Sequence, residues 1–107
     1  MIKNFKEQQN TLTWNNYTLP LNGATYVVDK DYIYLFASDK SSIRVYDEHA
    51  TLCSILQGNE SLQIKSLVNH PRFGICVIVR MKYDPIHWNA VYMAFDGNEF
   101  KIVDTLN

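Results

Sequence analysis

Three short runs of this chain bring side chains capable of chemistry within a few residues of one another. His70-Pro71-Arg72 and Asp84-Pro85-Ile86-His87 combine imidazoles with a cation and a carboxylate in proline-containing loops. If those loops met in space, His70, His87 and Arg72 could bind a phosphate. The two imidazoles could equally serve as acid and base, which is sufficient for RNA cleavage. Asp47-Glu48-His49 is the densest cluster. Neighbours diverge along a strand and splay in a turn, so it reads as a solvated turn rather than a metal site. Cys53 and Cys76 lie inside the apolar runs LCSIL and GICVIV and read as buried free thiols. No glycine-rich phosphate loop, His-Glu-x-x-His, Cys-x-x-Cys, EF-hand or nucleophile-elbow pattern occurs. The expectation is a protein that is not an enzyme, with no catalytic residue, no metal and no cofactor.

The elements that would position these residues follow a period of two. Thr25–Val28, Tyr32–Ala37, Ser42–Tyr46, Leu52–Gln57, Ser61–Val68, Phe73–Lys82, Trp88–Phe95 and Glu99–Val103 are short, rich in β-branched and aromatic residues, and bounded by turn formers. Asp96-Gly97-Asn98, between two alternating runs, is the strongest hairpin signal. The reading is all-β: one domain, residues 1–107, an antiparallel meander of about eight strands closing as a sandwich or small barrel. At most one short helix is allowed, over Asn4–Leu12 or, more weakly, Ser61–Asn69. The run from Phe73 is apolar on both faces, with Ile75, Val77 and Val79 opposite Cys76 and Ile78, and is expected to be central in its sheet. Ser42-Ile43-Arg44-Val45-Tyr46-Asp47 followed by Leu52–Leu56 resembles an outer strand and the next inner strand of a WD-repeat blade. A closed propeller needs at least four blades of about 40 residues, so it is excluded for one chain of 107 residues.

Composition narrows the partners. With 47% hydrophobic and 13% aromatic residues, the chain can bury a core, roughly 65% of its extended surface by size scaling. The formal net charge is -1, which argues against a general nucleic-acid binder. The polar segment Met1–Asn10 is no signal peptide, and no apolar run approaches the ~20 residues of a membrane span. A cytoplasmic protein without membrane contact is expected. The near-zero total conceals a pattern. Ser61–Tyr83 carries Lys65, Arg72, Arg80 and Lys82 and no acid, whereas Asp29–Glu48 carries five acids against Lys30, Lys40 and Arg44. Either these charges pair across adjacent strands, or an acidic rim faces a cationic partner.

Tyrosine and tryptophan beside Asp and Asn are residue types that protein interfaces use as anchors. Trp14, Tyr17, Tyr32, Tyr34, Tyr46, Tyr83, Trp88 and Tyr92 exceed what a core of this size readily hides. The expected interface is Asp29, Asp31, Tyr32, Tyr34, Asp39, Tyr46, Asp47 and Glu48, with Asp84, His87 and Trp88 from the later loop. In size, charge and all-β character the chain resembles bacterial immunity proteins, the toxin neutralisers of contact-dependent growth inhibition and similar systems. That resemblance implies a non-enzymatic module that binds a cognate toxin, such as a nuclease, and covers its active site. It involves no nucleic acid and no small molecule. The alternatives are an oligomerising β-subunit of phage or appendage type, which would form a homo-oligomer, and a small enzyme or ligand-binding β-barrel using His70, His87 and Arg72.

Overall fold

The structure, a computed structural model, describes residues 1–106. Eleven strands and no helix are present among them: β1 (Lys6–Gln8), β2 (Thr11–Trp14), β3 (Tyr17–Pro20), β4 (Thr25–Val28), β5 (Ile33–Phe36), β6 (Ser42–Tyr46), β7 (Leu52–Gln57), β8 (Leu62–His70), β9 (Gly74–Lys82), β10 (Trp88–Phe95) and β11 (Phe100–Thr105). Each strand pairs antiparallel with its chain neighbour inside one of three sheets. Sheet A is β1-β2-β3, sheet B is β4-β5-β6-β7, and sheet C runs β8-β9-β10-β11. The all-β expectation holds. The count of eight is corrected to eleven, and the barrel alternative fails because the three sheets stack as layers without closing.

The additional strands are β1 to β3, in the region where a helix was allowed. Their turns are two-residue connections with positive φ at both centres, Gln9 (48°) with Asn10 (63°) and Asn15 (48°) with Asn16 (68°). That geometry matches the right-handed twist of the flanking strands, and Asn tolerates it better than most residues. The second candidate helix, Ser61–Asn69, is strand β8.

Sheet B is the middle layer. Cross-strand register puts Phe36, Ile43 and Leu56 on one face, against Ile64, Val77, Val79, Val91 and Met93 of sheet C. The opposite face presents Ile33 and Leu35 to Leu12, Trp14 and Leu21. All four residues of β5 are therefore buried, because both of its faces are covered. Full burial of such side chains contributes roughly 1.5–3 kcal/mol each. β9 is interior to sheet C, as its two-sided apolarity requires. The WD-like pairing is corrected: β6 and β7 are hydrogen-bonded neighbours in one sheet, not strands of successive blades.

One device closes every connection from β4 to β11, the crossover from β7 to β8 included. The side chain opening the turn accepts backbone N–H groups two to four residues on. Asp29 Oδ1 takes Asp31 (2.9 Å) and Tyr32 (2.7 Å), and Asp39 Oδ1 takes Ser41 (2.9 Å). Asp47 Oδ1 takes His49 (2.8 Å) and Thr51 (3.0 Å), and Asn59 Oδ1 takes Ser61 (2.7 Å). Asp84 Oδ1 takes Ile86 and His87, and Asp96 Oδ1 takes Asn98 and Glu99, all at 2.9 Å. In the β8–β9 turn His70 plays the part: its Nδ1 accepts from Arg72 (3.0 Å) and Phe73 (3.3 Å). A short acceptor at the first turn position mimics one more backbone carbonyl.

Candidate functional site

The acids grouped as an interface by sequence are for the most part these turn acceptors. Their positions split the expected patch. Asp29, Asp31 and Tyr32 in the β4–β5 turn and Asp47 and Glu48 in the β6–β7 turn lie at one end of sheet B. Asp31 and Glu48 flank the Met1 ammonium, to which Glu48 is hydrogen-bonded. The β10–β11 turn of sheet C joins this end, since the Tyr32 ring meets the Phe95 ring edge-on at 5.1 Å. That brings Asp96 and Glu99 beside the other acids. Asp39 sits in the β5–β6 turn at the opposite end, so it is not part of this rim.

Two of the tyrosines in the expected interface are turned wholly or partly inward. Tyr34 is buried, with its hydroxyl donating to Asp29 Oδ2 at 3.4 Å, and burial pushes that phenol well above its ordinary value, with Asp29 adding to the rise. Tyr46 is half-buried against the sheet A cluster. Trp14, counted among the surplus aromatics, is only 1% exposed and donates its indole N–H to the Asp47 carbonyl. The cysteine expectation is half corrected. Cys76 is buried, but Cys53 is exposed on β7, and burial pushes both thiols up.

The histidines do not converge. His70 ends β8 and His87 precedes β10, at opposite ends of nine-residue β9, roughly 25 Å apart by strand rise. Each has its own carboxylate: His70 Nε2 lies 2.9 Å from Asp104 Oδ2, and His87 Nδ1 lies 2.7 Å from Asp84 Oδ2. The bond from His70 holds the Asp104 carboxyl below its ordinary value. The Ile86 amide, helped by His87, does the same for Asp84. His70 is locked by its ring contacts with Phe73 and Tyr92, at 4.9 and 4.8 Å between centroids. Among the described residues no three His, Cys, Asp or Glu side chains form a metal-binding group.

The surface that remains is the outer face of sheet C. Register places Gln63, Arg80 and Ala90 in one row, with Ser66, Ile78, Tyr92 and Asp104 in the next. Lys82 and Trp88 face each other at one corner. Among the described residues no other sheet covers this face, whereas both faces of sheet B are covered. Arg80 and Lys82 both lie over the half-buried Trp88 ring, at 5.4 and 5.9 Å from its centroid. Beyond this corner project Tyr83, 60% exposed and stacked on His87, and Ile86, 78% exposed. Pairing of opposite charges across strands is corrected: Lys101 is the one Lys or Arg in an ion pair among the described residues. Arg80 and Lys82, read in sequence only as members of a basic run, are the site residues missed. Their shared parity with Ile78 was visible, but not that this face would be left open.

The fold and face define a stacked-sheet β domain with an open aromatic-cationic sheet surface. No protein-family model, curated protein or solved structure matches the chain.

Proposed function

We propose that this chain is a non-enzymatic protein-binding module acting as an immunity protein, which binds a cognate toxin and covers its active site. The observation that carries the reading is the outer face of sheet C. There Trp88 is held beneath Arg80 and Lys82, on the same face as Tyr92 and Ile78 two rows further along, and bordered by exposed Tyr83 and Ile86. Trp, Tyr and Arg dominate the energetics of protein interfaces, and here they stand on strands, so little ordering entropy is lost on contact. The acidic end, with Asp29, Asp31, Asp47 and Glu48 on adjacent turns, supports a toxin of nuclease type. Such an enzyme has a cationic cleft for phosphate, and rigid carboxylates would steer the encounter.

The test is gel filtration and calorimetry with the toxic domain of an exported protein encoded beside this chain. The expected result is a 1:1 complex and protection of cells expressing the toxin. Trp88→Ala should weaken the complex by about 30-fold or more, with an unchanged circular dichroism spectrum. No complex with that domain, or no such neighbouring gene, overturns the reading.

A further inference from the structure

Edge strand β4 of sheet B and edge strand β8 of sheet C flank a cleft of about 460 Å³. That volume is within the range of small-molecule sites. Val27, Phe36 and Leu67 give it an apolar floor. Two cations line it, Lys40 from the β5–β6 turn and Lys65 from β8, and among the described residues no carboxylate does. Two other clefts differ in this respect. The one between sheets A and B, lined by Leu21, Leu35 and Arg44, contains Asp39, and the one at the acidic end contains Asp29 and Asp31.

Local irregularities bring both lysines there. Lys65 is the extra residue of a β-bulge, since Ile64 pairs with Val79 and Ser66 with Ile78. Bulges re-aim side chains, and strict alternation after Ile64 would have turned Lys65 onto the outer face of sheet C. Lys40 has a left-handed φ of 60°, and the residue before it, Asp39, lines the cleft on the sheet A side. There the Ser41 hydroxyl and amide donate to the Asp39 carboxylate at 2.6 and 2.9 Å, so the turn sends its acid and its cation to different clefts. Neither lysine makes an ion pair among the described residues. The strand edge adds a neutral donor. Asp29 N–H donates to the Tyr32 carbonyl, and antiparallel pairs alternate, so Val27 bonds to β5 while Tyr26 turns its N–H and C=O off the edge. Tyr26 lines the cleft, whereas its hydroxyl is held by Glu7 on the sheet A side, so its main chain is what faces the cleft.

We propose that the cleft between β4 and β8 binds a small organic phosphate. The Lys40 and Lys65 ammonium groups hold the phosphoryl group, the Tyr26 amide donates to one of its oxygens, and Val27, Phe36 and Leu67 receive the organic part. Two ammonium groups match a phosphate monoester, which carries a charge of about -2 at neutral pH. A bare phosphate would leave the apolar floor uncovered, which favours an ester over the inorganic ion. The cleft lies between sheets and not on the outer face of sheet C, so the proposal stands independently of the toxin reading.

The experiment is a titration of the isotope-labelled chain with phenyl phosphate at fixed ionic strength, followed through its amide NMR signals, with inorganic phosphate and benzoate as parallel probes. The expected result is a saturable shift of the Tyr26 and Lys65 amides, with phenyl phosphate bound more tightly than either of the others. Lys40→Gln and Lys65→Gln should each weaken binding about 10-fold, as loss of one charge-assisted hydrogen bond implies, while melting temperature shows the fold intact. Arg44→Gln, in the neighbouring cleft, should leave binding unchanged. The absence of a saturable shift overturns the proposal, as does binding that survives loss of both lysines. Benzoate or inorganic phosphate bound as tightly as phenyl phosphate overturns the ligand class. Shifts confined to Arg80, Lys82 and Trp88 would place the anion on sheet C and overturn the site.

Discussion

The ring of His70 donates from Nε2 to Asp104 Oδ2 at 2.9 Å, joining the two edge strands of sheet C, which β9 and β10 separate in the ladder. Its other nitrogen accepts two backbone amides of the β8–β9 turn, so the proton resides on Nε2. The side chain is only 7% exposed, beneath Phe73 and beside Tyr92. A histidine so placed cannot serve as a base without dismantling the turn.

His70→Ala should therefore act on stability and leave partner binding at the Trp88 corner unchanged. The loss combines a turn acceptor, an aromatic contact and a charge-assisted hydrogen bond, about 2–3 kcal/mol in all. Asp104→Asn removes only the last of these and should cost less. Urea midpoints at constant slope measure both. Equal losses for the two variants would show that the turn contributes nothing.

Acid should unfold the chain through its turn carboxylates. The amides of Glu99 and Asn98, with the Lys101 ammonium, hold Asp96 down to about 2 from an ordinary 3.8. The Ser41 hydroxyl and amide lower Asp39, and the contacts already described lower Asp84 and Asp104. A carboxyl lowered by folding stabilises above its unfolded value, and that contribution disappears as pH falls through the folded value. Melting temperature should thus be flat with respect to these groups above about pH 5 and fall between about pH 4 and 2. Asp96→Asn retains an acceptor for the turn and should make the acid slope shallower. An unchanged slope would remove Asp96 from the acid transition.

How far the sequence discloses this fold differs from one sheet to the next. From Thr25 onward, alternation and an Asp, Asn or Pro at each turn suffice to place β4 to β11. β1 to β3 are harder, because Lys6–Gln8 is wholly polar and neither two-residue turn contains glycine. Asn15-Asn16 between TLTW and YTLP was the available signal. The site is less legible than the strands. Asp29, Asp47 and Asp84 carry the same charge whether they face a partner or close a turn, and only register separates the two roles. Parity already aligned Ile78, Arg80 and Lys82, but which sheet face another layer would cover depends on how β4 to β7 stack.

The two tryptophans should separate core from surface. Trp14, fully enclosed between sheets A and B, should cost about 3–5 kcal/mol when changed to alanine, since the cavity exposes Leu12, Ile33 and Leu35 as well. Trp88→Ala removes a half-buried ring below two exposed cations and should cost under about 1 kcal/mol. Denaturant titration of each variant decides it. A large loss at Trp88 would make that corner part of the fold's framework rather than a surface held ready for a partner.

Lys40 in the β5–β6 turn offers the reverse experiment, a change that stabilises. Its φ of 60° lies in the left-handed region, where a Cβ crowds the following carbonyl at roughly 1–2 kcal/mol. The side chain is exposed and makes no ion pair among the described residues, so the conformation gains nothing from lysine itself. Its N–H donates to the Ala37 carbonyl at 2.8 Å, and that bond closes the turn. Lys40→Gly keeps the bond and removes the crowding, at the expense of a more flexible unfolded chain, and should add about 0.5–1 kcal/mol. Lys40→Pro cannot adopt the positive φ and has no N–H to donate, so it should destabilise by about 3 kcal/mol or more. Opposite shifts of the urea midpoint for these two variants would establish the left-handed turn; a loss on Lys40→Gly would show that the lysine side chain holds the β5–β6 connection.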